Sequence, residues 1–322
     1  MHRRHSYRRL VFRRRPHLYV LPLLIVFGAG FLLATVTAVI VLARNDGSGH
    51  STIVHRGRRH ELAQRARRRQ PGSRRRQGTA SPQFVNHPQP VVILVYHYIA
   101  RSERGSQLLY VSPAEFTAQI DYLSRHGYHA VTLQQVYDAW TGGPALPAHA
   151  IVLSFDDGYV SQYSFAAVVL RRYHWPAVLN LIVSNLYPHT RFSAAMVRSL
   201  LASGWELDSH TVTHRPLTLL SARVARHELV ASRAYFRRSF GVPVNFFCYP
   251  GGDYTRAVER AVKQAGYLAA TSTDFSAATP AHLFALGRVY CYWGESLTVF
   301  ARRLHEALAI GGVAKEGVEK PK

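Results

Sequence analysis

From residue 91 onward, short apolar runs alternate with amphipathic helical stretches, and that alternation limits the folds open to the chain. The runs lie at 91–96, 151–155, 177–183, 205–207, 246–249 and 267–271, with helical patterns at 113–126, 162–173, 193–203, 222–240 and 255–265 between them. A strand that returns through a helix pairs parallel to its neighbour, so the expectation is an α/β fold with a parallel sheet, open or closed into a barrel. Some helix ends are legible. Ser112 before Pro113, with Glu115 behind, reads as an N-cap with proline at the first helical position, and Gly127 and Gly266 read as C-terminal stops.

The ends of these runs carry the chemistry. His97 follows the first run, Asp156 and Asp157 follow the second, and His210 and His214 follow the run at 205–207. Tyr249-Pro250-Gly251-Gly252 closes the run at 246–249. In a barrel all four segments fall on the C-terminal rim, where barrel active sites are built. Two adjacent carboxylates and two imidazoles supply what a hydrolytic metal site needs: ligands, and a spare carboxylate to handle a proton. Each piece alone has a plainer reading. Asp-Asp-Gly and Tyr-Pro-Gly-Gly are turn compositions, His-x3-His is common on solvated helix faces, and a lone His97 suits a structural hydrogen bonder. Their order along one rim is what points to a site.

Charge divides the chain. Residues 1–90 hold 18 Arg, no Lys and two acids (Asp46, Glu61), a net of +16, whereas the remaining 232 residues hold 22 Lys+Arg and 16 acids, a net of +6. The basic character therefore belongs to an N-terminal extension, which argues against reading the whole protein as a nucleic-acid binder. Residues 18–43 contain no charge and are almost wholly apolar, long enough for a membrane-spanning helix and longer than the core of a cleaved signal. Seven arginines lie closely before this run and only Arg44 closely after it, which predicts a cytoplasmic N-terminus and an exported C-terminal part. The domain expectation is a basic tail over 1–17, an anchor over 18–43, an Arg-rich disordered linker over 44–90, a catalytic domain over 91–310 and a flexible tail over 311–322. The linker reads as a solvated spacer, or as a contact for anionic lipid or wall polymer. Cys248 and Cys291 rule out a cysteine-rich framework and leave either one disulfide or two free thiols.

With these residues in hand, the sequence resembles the polysaccharide deacetylases of carbohydrate esterase family 4, which share the NodB homology domain. Ser154-Phe155-Asp156-Asp157-Gly158 matches the family's first motif, [ST]-F-D-D-G, and His210-Thr211-Val212-Thr213-His214 its second, H-[ST]-x-x-H. The resemblance covers about residues 91–305. It implies a distorted (β/α) barrel and a divalent metal, usually Zn²⁺ and sometimes another first-row metal. It also implies Asp157, His210 and His214 as ligands and Asp156 as general base. The metal and backbone N–H groups over 249–251 would stabilise the oxyanion, and Tyr249, Pro250, Gly251 and Arg288 form the expected oxyanion and substrate set.

Two departures stand out: Phe247-Cys248-Tyr249-Pro250 lacks the arginine that often orients the base, and no late Leu-x-His supplies a general acid. The biofilm-type poly-N-acetylglucosamine deacetylases, which the chain also resembles through Tyr96-His97-Tyr98-Ile99, imply that the early His97 is the general acid. The expected activity is metal-dependent deacetylation of N-acetylated sugars in an extracellular or cell-wall polysaccharide, by a single-pass protein of the cell membrane. The alternatives are an O-acetyl polysaccharide esterase and an inactive, wall-anchored glycan-binding form. Binding of an anionic polymer or nucleic acid by the arginine tail ranks last.

Overall fold

The computed structural model describes residues 84–85, 89–186 and 192–313. The expected anchor over 18–43, the tail over 1–17, most of the linker over 44–90 and residues 314–322 lie outside the described residues. Among the described residues no helix is long and apolar enough to cross a membrane.

Eight parallel strands form the sheet, seven of them in one row: β1 (Val92–Tyr96), β2 (Ala150–Asp157), β3 (Val178–Leu181), β4 (Glu206–Ser209), β5 (Phe246–Cys248), β6 (Ala269–Thr271) and β7 (Val289–Tyr290). Their spatial order is β6-β5-β4-β3-β2-β1-β7, and the two-residue strand His129–Ala130 also pairs with β2. The sheet curls into a half-barrel. Its two edges are drawn together by the segment before β7: the Leu286 N–H donates to Ala270 O (2.9 Å) and the Ser272 N–H to Leu286 O (2.8 Å), around one parallel bridge at Thr271–Leu286. The expected barrel is thus closed at one point rather than by a continuous ladder.

Strand alternation sorts the core into two parts. Val92, Leu94, Ile151, Leu153, Phe155, Leu179 and Phe247 belong to a large apolar cluster shared with the helices. Ile93, Val152, Val178, Phe246 and Ala269 belong to a second cluster, so odd and even positions of each strand face different cores. Strands buried on both faces read as continuous apolar runs, which is why they stood out in the sequence.

The connecting helices are α1 (Pro113–Arg125), α2 (Leu133–Trp140), α3 (Ala167–Arg171), α4 (Ala194–Ala202), α5 (Ala222–Phe240), α6 (Arg256–Gln264) and α7 (Leu297–Val313). Ser112 forms a reciprocal capping box with Glu115 at the start of α1, as the sequence indicated. A π turn (Gln162–Ala166) precedes α3 where the sequence suggested one continuous helix. α7 continues to Val313, past the expected domain end at 310. At the other boundary, Phe84–Val85 already pairs antiparallel with Leu146–Pro147, ahead of the expected start at 91. Both cysteines are free and buried, which settles their pairing in favour of two thiols.

Candidate active site

Asp156 and Asp157 are adjacent, yet they do different things because Asp157 is the last residue of the strand. Asp156 continues the β2 face that carries Val152 and Ser154. Regular alternation would send Asp157 to the opposite face with Phe155, but its φ of 75° breaks the strand there. Gly158 must follow: its φ is 86°, and a Cβ at that position would sit 2.3 Å from Leu181 Cδ1.

His210 and His214 do not lie on a helix. They bracket a loop in which Thr211 (φ 71°) and His214 (φ 59°) hold left-handed conformations. Positive φ at non-glycine residues costs about 1–3 kcal/mol each and persists only where the surroundings enforce it. The buried Glu228 of α5 does so, accepting from the N–H groups of Val212 (2.8 Å) and Thr213 (2.9 Å) and from Thr213 Oγ1 (2.6 Å). The His214 N–H also donates to Thr211 Oγ1 at 2.8 Å.

The loop brings three donor atoms to one point. His210 Nε2 and His214 Nε2 are 3.0 Å apart, and Asp157 Oδ1 lies 3.5 Å and 3.6 Å from them. His210 Nδ1 is 2.7 Å from Cys248 O. A carbonyl can only accept, so Nδ1 carries the ring proton and Nε2 presents a lone pair. The Tyr159 hydroxyl donates to Asp157 Oδ2 at 2.7 Å, while Asp157 Oδ1 is buried with no hydrogen-bond partner. An orphaned carboxylate oxygen facing two imidazole nitrogens fits a divalent cation, and two imidazoles plus one carboxylate is a catalytic-zinc donor set. A second set, Asp156, His210 and Cys248, also lies close together. It suits a cation less well. Arg288 already neutralises Asp156, the His210 Nδ1 proton faces that side, and burial pushes the Cys248 thiol well up.

Asp156 is held from three sides. Arg288 Nη1 donates to its Oδ1 at 2.9 Å, Asn180 Nδ2 donates to the same oxygen at 2.7 Å, and Cys248 Sγ lies 3.6 Å from Oδ2. Asn180 stands directly opposite Asp156 in the β2–β3 register, so the sheet itself supplies this partner. Burial alone would raise the Asp156 carboxyl, but Arg288, then His97 and His210, more than offset it and hold it well below the usual carboxylate range. His97 Nε2 is 3.8 Å from the other oxygen, Oδ2, and the His97 ring stacks parallel to Tyr290 with 5.9 Å between centroids. Burial lowers the His97 imidazole below its ordinary value, against the opposing pull of Asp156 and Asp157.

The oxyanion and substrate set changes on contact with the structure. Arg288 is 1% exposed and fully engaged, with Nε on Ser272 O (2.8 Å) and Nη1 on Asp156 and Ser154, so it faces the base and not a substrate. It takes the place of the arginine missing beside Cys248, reaching Asp156 from β7's side of the sheet. Tyr249 spends its N–H on Thr271 O (3.1 Å) and its hydroxyl on Phe284 O (3.0 Å), Pro250 has no N–H, and the Gly252 N–H goes to Tyr249 O (2.8 Å). The expected N–H donors over 249–251 therefore narrow to Gly251. Asp274 accepts from the hydroxyls of Tyr254 and Ser272.

Sequence reasoning missed Asn180, Tyr159, Gln162 and Glu228. Gln162 Nε2 donates to both His97 O (3.1 Å) and Asp156 O (2.6 Å), tying the two strand ends together. Asn180 did leave a signal, a polar residue inside an apolar strand, because buried amides need partners.

Comparison with known proteins agrees with this geometry. Residues 144–270 match the polysaccharide deacetylase family model. YxkH of Bacillus subtilis, named as a polysaccharide deacetylase, is 26% identical over 214 residues, covering 66% of this chain and 75% of its own length. The poly-β-1,6-N-acetyl-D-glucosamine N-deacetylase of Escherichia coli K12 is 33% identical over 87 residues, which is 27% of this chain and 13% of that protein. Among solved structures, the Streptococcus pyogenes deacetylase PplD superposes with a TM-score of 0.63 at 22% identity, over 67% of this chain and 99% of that one. Over the matched residues the chain carries a polysaccharide deacetylase domain of the NodB type found in carbohydrate esterase family 4, a family of hydrolases that act on carbon–nitrogen bonds in acetylated sugars.

Proposed function

We propose that the protein hydrolyses the acetamide of N-acetylated sugar residues in a polysaccharide, with a divalent metal, releasing acetate and a free amine on the sugar. The observation that carries the reading is the meeting of Asp157, His210 and His214 beside a second carboxylate that is locked in its ionised form. The poly-N-acetylglucosamine deacetylase among the relatives supports a glucosamine-type polymer as substrate.

In this reading Asp157 Oδ1 and the two Nε2 atoms hold the metal, which when bound supplies Lewis acidity to the carbonyl and to the attacking water. The rest falls to the chain's own groups. Asp156 takes the water's proton, with Arg288 and Asn180 fixing Oδ1 so that Oδ2 does the work. Gly251 offers its N–H to the oxygen where negative charge develops. His97, neutral at rest because it is buried, lies 3.8 Å from Asp156 Oδ2 and passes the proton to the departing nitrogen. An amine leaves as a neutral molecule only if it is protonated, so the reaction needs this second group.

The apolar run over 18–43 and its flanking arginines support anchoring in the cell membrane with the catalytic domain outside. Tagging the C-terminus and testing its access to external protease in intact cells checks this. An inaccessible C-terminus contradicts it.

A further inference from the structure

We infer that the groove between the start of α5 and the length of α6 is a binding site for the negatively charged sugars of an acidic, carboxylate-bearing polysaccharide. This deepens the deacetylase reading and rests on it. The groove encloses about 380 Å³ and contains none of the site residues described above. Alanines at facing positions, Ala225 on α5 and Ala261 on α6, open it, and Arg226 and Arg260 stand on its two walls. Both arginines are exposed. Among the described residues neither guanidinium takes part in a hydrogen bond or ion pair, in contrast to Arg288 and Arg303, which are both paired. The two acids on these helices do not compensate: Glu228 is buried and committed to the loop over 212–213, and Glu259 is a single charge. Two unpaired guanidinium groups across a concave floor form a complement to planar carboxylates.

The place of the groove ties it to a polymer. Thr218, on its rim, lies four residues beyond the ligand His214, and Thr255 lies four residues beyond Gly251. The two loops that carry site residues thus lead into the two helices that line the groove. On this inference a chain whose acetylated sugar sits at the metal triad extends over these loops toward Arg226 and Arg260, where a neighbouring acidic sugar would be read.

Exposed ion pairs are weak, and two of them together shift affinity by about tenfold. The test uses the full chain and three probes. These are an oligosaccharide alternating N-acetylglucosamine with a uronic acid, a neutral N-acetylglucosamine oligomer of equal length, and inorganic polyphosphate. Equilibrium binding of the wild type is expected to favour the carboxylated oligomer about tenfold over the neutral one, with a preference that weakens as salt rises. The R226Q/R260Q double variant is expected to lose that preference and keep its affinity for the neutral oligomer. On the carboxylated oligomer it should raise KM and leave kcat unchanged. Equal wild-type affinity for both oligomers, a preference that survives in the double variant, or polyphosphate binding that falls in the double variant as much as binding of the carboxylated oligomer does would each overturn the inference. Because binding is read without turnover, a groove that binds as expected in a protein that releases no acetate would sink the deacetylase reading alone.

Discussion

Arg288 Nη1 lies 2.9 Å from Asp156 Oδ1, and the two side chains are both almost fully buried, joined across 132 positions of sequence. This pair decides the charge state of the proposed base, and it does so from the opposite edge of the motif that usually supplies such an arginine.

Removing Arg288 leaves a buried carboxylate without its cation. Arg288→Met is expected to destabilise the fold by roughly 3–5 kcal/mol and to abolish activity. The pH dependence has a definite sign. The Asp156 carboxyl is depressed in the folded state, so its stabilisation is present above the unfolded value of about 4 and is lost as pH falls toward the folded value. Urea unfolding from pH 7 down to pH 2.5 should show a constant gap between wild type and variant above about pH 4 and a narrowing one below. A gap that does not change across that range would count against an ionised Asp156.

His97 matters to the extent that the leaving group needs a proton. His97→Gln is expected to slow acetate release from an N-acetyl sugar by about 10²–10⁴-fold. On an aryl acetate ester, whose phenolate leaves unaided, the loss should be much smaller. Equal losses on the two substrates would assign His97 to structure.

Tyr159 donates to one oxygen of Asp157 and leaves the other open to the proposed metal. Tyr159→Phe is expected to weaken Zn²⁺ affinity by about 10–100-fold, measured by competition with a chromophoric chelator, while the fold is retained. Unchanged affinity would mean that Asp157 is oriented by other groups.

Glu206 and Asp208 sit on one face of β4, and burial raises both carboxyls above their ordinary values. Glu206 Oε1 and Asp208 Oδ2 are buried without partners. A raised folded value means that stability is full below the unfolded pKa and is lost as pH rises through the folded one. Glu206→Gln should therefore raise the thermal midpoint at pH 8 and have little effect at pH 4. A loss of stability at pH 8 would contradict the protonated pair.

The main features of the fold were legible because its strands are buried on both faces. All six apolar runs became strands, and α5 spans Ala222–Phe240 as its periodicity suggested. β7 escaped notice because two residues, Val289 and Tyr290, leave no periodicity to read. The triad and Asp156 were legible as motifs. Arg288 was picked out but assigned to the substrate, and Asn180 and Glu228 were not picked out, because their roles come from register, sheet curl and a loop tied to a helix, none of which spacing along the chain reveals. The turn at 249–252 shows the same limit: its residues could be read, but which N–H groups were already engaged could not.

The most direct test of the account is acetate release from N-acetylglucosamine oligomers by the full chain, with Zn²⁺ and with a chelator, beside Asp156→Asn. The account predicts release that requires metal and falls by about 10²–10⁴-fold in Asp156→Asn, with metal affinity retained. Release that persists in chelator, or that Asp156→Asn leaves intact, would contradict it.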